Sequence, residues 1–186
     1  MDKKDARLLL KKQRLDLSEE FVNKASNNIA EIFLSHVDLS KIKFAHVYIP
    51  ETKLKEVNTW PIINYIRQRY PKIKVAYAPF DRAAGSINNV WLTTDKKLKE
   101  FVPKGFQFEL ILVPCLGFDS LGYRIGYGSG FYDKFLAGQS SALIVGLCYE
   151  FGHIDNLTHE KHDIPIKFIV TEKRIYKSDN LCNSYA

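Results

Sequence analysis

Residues 110–136 read LILVPCLGFDSLGYRIGYGSGFYDKFL, and this stretch is the one that decides the fold. It begins with four apolar residues, 110–113, which lie between the charged Glu109 and Pro114. A short unbroken apolar run of this kind is typical of a strand that is buried on both faces. Residues 142–147 (ALIVGL) and 167–170 (KFIV) repeat the pattern. The sequence therefore predicts a mostly parallel central sheet.

Helical and strand patterns alternate outside this stretch. The predicted helices cover residues 2–15, residues 18 to about 34, and residues 60–70, with Ser18 as an N-cap signal and Pro61 in a first turn. The earlier strands are predicted over residues 43–49, 74–78 and, after a turn at Gly85, 87–92. Such alternation is typical of α/β proteins, so we predict a three-layer α/β/α fold in a single domain over residues 1–186.

The composition indicates the cellular compartment of the protein and the type of ligand that it binds. The net charge of +6 favours an anionic ligand such as a nucleotide, and it is also compatible with nucleic acid or a merely solvated surface. Cys115, Cys148 and Cys182 lie far apart and form no CxxC pair, which indicates a reduced compartment. The apolar run 8–10 is too short for a signal peptide, and no stretch approaches the ~20 apolar residues of a membrane span. We therefore expect a cytoplasmic protein without membrane contacts.

Residues 122–133 are the most informative stretch for function. Four glycines fall within nine residues, and glycine lets backbone N–H groups approach a ligand closely. A helix that begins near Phe131 would direct further N–H groups at an anion. The spacing matches neither GxGxxG nor Walker A, so a plain turn is about as well supported by composition alone. Arg124, which can pair with phosphate, and Asp133, which can hold Mg²⁺, favour a phosphate-binding, glycine-rich loop after a central strand.

The same stretch resembles the signature of the 5-formyltetrahydrofolate cyclo-ligase family. The matching residues are Pro114, Gly117, Phe118, Asp119, Gly122, Arg124, Gly126, Gly128, Gly130, Tyr132 and Asp133. The resemblance extends in order over nearly the whole chain. It implies ATP-dependent cyclisation of 5-formyltetrahydrofolate to 5,10-methenyltetrahydrofolate, with phosphorylation of the formyl oxygen, attack by N10, and release of ADP and phosphate. It also implies Mg²⁺ as cofactor, ATP as co-substrate and a folate with or without a polyglutamate tail. We expect a monomer or weak dimer that does not bind nucleic acid.

The resemblance also assigns roles to individual residues. It implies nucleotide contacts from Lys3, Lys4, Arg7, Gly126, Tyr127, Gly128, Ser129, Gly130, Phe131, Tyr132, Asp133 and Lys134. It implies folate contacts from Ile49 and Glu56, and magnesium ligands at Asp133 and at Asp163 in the closing His-Asp-Ile-Pro motif. It implies catalytic roles for Arg124, Glu56 and Tyr132.

The basic residues of the first helix have a second interpretation. Lys3, Arg7, Lys11 and Arg14 follow one another at spacings of four, four and three, so they share one helical face. From sequence alone this pattern favours a solvated surface stripe. The resemblance raises the alternative for Lys3 and Arg7, with Lys11 and Arg14 only as their neighbours.

The chain departs from the family pattern at three points. Asn58 replaces the usual acid, residues 51–55 form a loop about two residues longer, and Ser129 stands where some relatives carry lysine. If that lysine helps to neutralise phosphate, the basic helix must supply more of the charge. Glu56 could also serve only as a negative charge at the start of a helix.

Other functions remain open at this level. Histidines 153, 159 and 162 lie near three acids, Asp155, Glu160 and Asp163, but without a recognisable zinc spacing. Cys115 has no identifiable base, so packing is favoured over a nucleophilic role. A sugar-phosphate isomerase or CoA-transferase-like enzyme and a nucleic-acid-binding module are the rival hypotheses.

Overall fold

The computed structural model describes residues 2–79, 88–93, 100–155, 157–160 and 163–178. Within these ranges the helices are α1 (Lys3–Leu15), α2 (Glu19–His36), α3 (Trp60–Arg69) and α4 (Phe131–Leu136). The strands are β1 (Phe44–Val47), β2 (Lys74–Tyr77), β3 (Val90–Trp91), β4 (Leu110–Pro114), β5 (Gly117–Phe118), β6 (Arg124–Ile125), β7 (Leu143–Leu147), β8 (Phe168–Val170) and β9 (Ile175–Lys177).

The main sheet is mixed and mostly parallel. In the described part of the chain it has seven strands, in the order β3-β2-β1-β4-β7-β8-β9. The pairs from β2 to β8 are parallel, whereas the outer strands β3 and β9 are antiparallel to their neighbours. The predicted α/β class and the mostly parallel sheet are confirmed.

The central strand β4 is buried on both faces because alternate side chains enter different cores. Leu110 and Leu112 join the core that α2 and α3 cover. Ile111 and Val113 join the core on the opposite face, which α4 covers through Leu136. Helices therefore flank the sheet on both faces.

Helix α1 packs away from these two cores. Its buried side chains Ala6 and Leu10 meet Leu116 directly before β5, Ile125 in β6, and Leu157 farther along the chain. Residues 6, 10 and 14 form its buried face, as a spacing of four requires in a helix. No helix in the described ranges is both long and apolar enough to cross a membrane.

The sequence prediction was wrong mainly where elements are very short. It missed β5, β6 and β9, which have two or three residues and therefore no readable period. The β5–β6 pair lies between β4 and the glycines 126–130, which follow β6 directly. Helix α2 begins after Ser18 as predicted, and it continues to His36 rather than to residue 34. The predicted turn at Gly85 and the beginning of the strand 87–92 lie outside the described residues.

Candidate active site

The sheet has a topological switch point between β1 and β4. The chain leaves β1 through α3 toward β2, and it leaves β4 through α4 toward β7 on the other side. In open parallel sheets, ligands bind in the crevice that such a divergence opens at the carboxyl ends of the strands. The segment with Glu56 follows β1, and the segment with Arg124 follows β4. The topology therefore brings the two predicted halves of the site to one crevice.

Two kinds of constraint act on the glycine segment, which we define as residues 122–133. A Cβ on Gly122 would lie 2.3 Å from the carbonyl oxygen of Ile166, and its φ is 82°, so both packing and backbone require glycine. Gly128 and Gly130 also have positive φ, but a Cβ on Gly130 would meet no atom within 4 Å. The glycine segment is therefore packed at its beginning and open around residue 130.

Arg124 is buried and bound to protein acceptors at both ends of its guanidinium. Its Nη2 donates to Oδ1 of Asp133 at 2.8 Å, and its Nη1 donates to the carbonyl oxygen of Ile164 at 2.8 Å. The backbone N–H of Ile164 also donates to Oδ1 of Asp133, at 3.2 Å. Arg124 thus joins β6, α4 and the 163–166 segment, and these contacts use two of the five N–H donors of its guanidinium.

The two predicted magnesium carboxylates lie in the same neighbourhood but have different partners. Oδ2 of Asp163 accepts hydrogen bonds from Lys3 Nζ and from the backbone N–H of Glu160. Oδ2 of Asp133 has no hydrogen-bond donor among the described residues, and 22% of that side chain is exposed. Asp133 therefore offers one oxygen for a metal ion, whereas Asp163 would first have to release Lys3.

The basic face of α1 turns toward the glycine segment. Arg7 Nε donates to the carbonyl oxygen of Gly126 at 2.9 Å, and Lys11 Nζ lies 5.2 Å from the centre of the Tyr127 ring. Arg14 is only 2% exposed. The surface-stripe interpretation is therefore wrong for Arg14, because this residue lies one turn after Leu10 on the buried face. Lys4 is exposed.

Glu56 lies in the segment that follows β1. It is 9% exposed, and its Oε2 accepts a hydrogen bond from the backbone N–H of Glu51 at 2.8 Å. Burial raises the pKa of the Glu56 carboxyl, while the Glu51 amide and the charge of Arg14 act in the opposite direction. Burial raises the pKa of Tyr132, and the negative charge of Glu56 adds to this shift. The charge of Glu56 thus acts on Tyr132 of the glycine segment.

The loop before Glu56 is tied to surrounding elements. Lys55 has a left-handed φ of 48°, and its Nζ donates to the carbonyl oxygens of Leu15 and Leu17 at the end of α1. The Tyr149 hydroxyl donates to the carbonyl oxygen of Lys55 at 3.2 Å. Ile49, at the end of β1, is half-buried against the α2–α3 core. These contacts hold the longer loop in place.

Asn58 accepts a local hydrogen bond that an acid could also accept. Its Oδ1 accepts a hydrogen bond from the backbone N–H of Trp60 at 3.0 Å, in the first turn of α3. An aspartate oxygen would make the same contact, so the replacement leaves this turn intact.

The remaining predicted contacts are dispersed. Ser129 Oγ accepts from the Phe131 N–H at 3.4 Å. Phe131 and the exposed Lys134 line a cavity of about 740 Å³ together with Phe101 and Phe106.

A zinc centre and a nucleophilic cysteine have little support in the geometry. Among the described residues, no group of three or more His, Cys, Asp or Glu side chains could hold a metal ion. His153 stacks on Tyr176, His159 stacks on Tyr123, and His162 lies outside the described residues. Burial raises the pKa of the Cys115 thiol to about 11, so it stays protonated and packs in the core.

Comparison with known proteins shows the family of this chain. The sequence model of the 5-formyltetrahydrofolate cyclo-ligase family matches residues 1–172. The chain belongs to this family. The family resemblance of residues 110–136 is therefore confirmed.

Individual relatives are distant. The cyclo-ligase of Haemophilus influenzae is 36% identical over 62 residues, which are 32% of this chain and 33% of that protein. The cyclo-ligase of Mycoplasma pneumoniae is 27% identical over 112 residues, or 60% of this chain and 59% of that protein. The chain thus spans much less than two thirds of the first of these relatives.

Two solved structures share the fold. The 5,10-methenyltetrahydrofolate synthetase of Mycoplasma pneumoniae has a TM-score of 0.75 and 20% identity, covering 92% of this chain and 99% of that one. The synthetase of Aquifex aeolicus has a TM-score of 0.75 and 25% identity, covering 99% of this chain and 95% of that one.

Proposed function

We propose that this family member cyclises 5-formyltetrahydrofolate to 5,10-methenyltetrahydrofolate with ATP, releasing ADP and phosphate. The observation that supports the proposal is that Glu56 follows β1 and the glycine segment follows β4, the two strands that border the switch point of the sheet. One side of this crevice has a buried carboxylate, and the other has the basic face of α1 with an open carboxylate, Asp133. The buried carboxylate would suit the hydrogen-bonding nitrogens of a folate. The basic face and the open carboxylate would suit the phosphates of a nucleotide and their metal ion.

The nucleotide half consists of α1 and the glycine segment. In this half, Lys3 pairs with Asp163, and Arg7 donates to the carbonyl oxygen of Gly126. Both are half-buried, so their positive charges are only partly screened by water. Phosphate oxygens that enter beside the open Gly130 would find these charges and the backbone N–H groups of residues 126–131. Lys4, Tyr127 and Lys134 remain predicted contacts of the same half.

The residues present fit a magnesium ion with few protein ligands. Mg²⁺ commonly takes one or two carboxylates and completes its shell with phosphate oxygens and water. Oδ2 of Asp133 would supply the first carboxylate, and Asp163 would supply a second after exchange of Lys3. When bound with ATP, the ion neutralises charge that develops on the transferring phosphoryl group.

The chemistry asks the protein for positioning rather than for a covalent nucleophile. The formyl oxygen is an amide oxygen and leaves poorly, so it first takes the γ-phosphoryl group of ATP. N10 then attacks the formyl carbon and loses its proton, and the C–O bond breaks to release phosphate. Glu56 would hydrogen-bond the folate near the reacting nitrogens, with Ile49 beside it and Tyr132 opposite. Holding two substrates in line accounts for large rate factors without further groups.

An absorbance assay tests this function. We expect the purified protein to convert 5-formyltetrahydrofolate into the methenyl product, seen as growth of its absorbance, only when both ATP and Mg²⁺ are present. Stoichiometric ADP should appear with the product. Product formation without nucleotide, or nucleotide hydrolysis without folate conversion, would assign the crevice to another reaction. Monomer or weak dimer, indifference to nucleic acid and a cytoplasmic location remain predictions.

A further inference from the structure

Arg14 is a buried charge that the proposed reaction does not yet use. It is 2% exposed, and no carboxylate lies within ion-pair distance of it among the described residues. Its Nε is buried without a hydrogen-bond partner in the same part of the chain. A buried guanidinium without an ion pair has lost the hydration of its charge, and an apolar side chain of similar volume often packs at no greater cost. Packing alone therefore does not explain why an arginine is present at this position.

The guanidinium joins elements from three parts of the crevice. Its Nη2 donates to the carbonyl oxygen of Cys115, directly after β4. Its Nη1 donates to the hydroxyl of Tyr127 in the glycine segment at 3.2 Å. Its Cζ lies 5.6 Å from the centre of the Tyr149 ring, which follows β7. No other described residue of α1 links the glycine segment to the end of a sheet strand in this way.

The contact with Tyr127 reaches the part of the glycine segment that packing leaves free. Gly122 is locked by Ile166, whereas residues around Gly130 have open space. Tyr127 lies between them and is half-buried. Its hydroxyl is fixed by Arg14, and its ring lies beneath Lys11. The position of the middle of the segment therefore depends on α1 rather than on the sheet.

We propose that Arg14 is a positioning residue that holds Tyr127, and with it the nucleotide half of the site, against the carboxyl end of β4. The inference rests on the proposed function only for its kinetic readout. Arg14 touches no reacting atom. It sets where the backbone of residues 126–130 stands relative to Glu56.

The test is a double-mutant cycle between Arg14→Met and Tyr127→Phe. The readouts are the dissociation constant of Mg·ADP, KM for ATP, KM for the folate, and the thermal midpoint. Lys12→Met is the matched control, since it removes an exposed charge from the same helix. Each cycle variant is expected to weaken Mg·ADP binding and to raise KM for ATP about tenfold, the scale of one charge-assisted hydrogen bond. KM for the folate should change less than about twofold.

The double variant distinguishes positioning from general stability. If both residues act through one contact, the double variant should lose no more ATP affinity than Arg14→Met alone. The thermal midpoint of each variant shows whether the protein is folded at the assay temperature, so that a loss of ATP affinity is not caused by unfolding. Losses that multiply in the double variant, or nucleotide affinity equal to that of Lys12→Met, would overturn the proposal. If Arg14→Met does not fold, Arg14→Lys takes its place in the cycle with the same expectations for ATP affinity, because lysine keeps the charge but loses the planar fork that reaches both acceptors.

Failure of the proposed function would look different. A wild-type protein that binds Mg·ADP but converts no folate contradicts the reaction and leaves the cycle readable from binding alone. A wild type that is active while all variants match it contradicts only the role of Arg14.

Discussion

Among single residues, Glu56 carries the strongest conflict between burial and charge. A carboxylate that is 9% exposed and held by one backbone N–H pays more for ionisation in the folded chain than in the unfolded chain. The positive charge of Arg14 offsets only part of this cost, so the pKa of Glu56 remains raised. Such a group costs stability for the sake of a site, as is common where substrates bind.

Glu56→Gln tests both the cost and the role. The folded pKa of Glu56 is raised, so its ionisation lowers stability as the pH rises above the ordinary carboxylate range. Glutamine keeps the acceptor for the Glu51 N–H and carries no charge. We expect the variant to gain thermal stability over the wild type at pH 7.5 relative to pH 4.5. It should lose folate turnover at least about tenfold while Mg·ADP binding stays unchanged.

The control for this prediction is Glu51→Gln, an exposed carboxylate on the same loop. It should not change turnover by more than about twofold. A Glu56→Gln protein whose stability difference is independent of pH would show that Glu56 is not strained by burial. Equal loss of nucleotide affinity would contradict a folate contact.

At the scale of elements, the glycine segment is tightly packed at Gly122 and has open space around Gly130. Gly122→Ala would place a Cβ 2.3 Å from the Ile166 carbonyl oxygen at a φ of 82°. We expect a loss of at least about 2 kcal/mol in the free energy of unfolding, measured by urea titration, from overpacking and backbone strain together.

Gly138→Ala is its matched control. A Cβ at Gly138 would make only ordinary contact, 3.7 Å from the Phe135 carbonyl oxygen. The expected change is within about 0.5 kcal/mol. If Gly122→Ala were equally well tolerated, Gly122 and Ile166 would have to move apart at little cost. The packing at Gly122 would then not constrain the glycine segment.

Elements of sufficient length were predictable, because their periods are set by burial. β4 and β7 show unbroken apolar runs since both faces are covered, and α2 shows its N-cap Ser18 in the sequence. β5, β6 and β9 were not predictable, because two or three residues carry no period and depend on tertiary pairing.

The candidate site was only partly predictable for a related reason. Lys3, Arg7 and Glu56 could be assigned through the family pattern, but a helical spacing alone could not distinguish buried Arg14 from the half-buried cations on the same face. The acceptors that justify its burial, Cys115 and Tyr127, lie more than a hundred residues away in the chain. The pairing of Arg124 with Asp133 likewise depends on how β6 and α4 pack in the folded chain, which no sequence spacing shows.

For the whole molecule, the attachment of α1 is the weakest part of the assembly around the crevice. α2 and α3 bury their apolar faces in the large core of the main sheet. α1 buries only Ala6 and Leu10 in a small core, and it leaves Leu8 and Leu9 exposed. Its other attachments are polar and concern the same groups that would meet the nucleotide. Few buried apolar contacts give low protection against local opening.

Hydrogen exchange measures this difference. We expect the amides of α1 to exchange at least about tenfold faster than those of α2 without ligand, because α1 opens without disturbing the main sheet. Mg·ADP should slow exchange in α1 and in residues 126–131, since a ligand that binds only the closed arrangement stabilises it by mass action. Exchange in β4 serves as the control and should not respond beyond the global effect. An α1 that exchanges as slowly as α2 in the free protein, or that ignores bound nucleotide, would mean that the helix is part of the rigid scaffold. In that case the basic face would be preformed, and nucleotide binding would gain nothing from closing it.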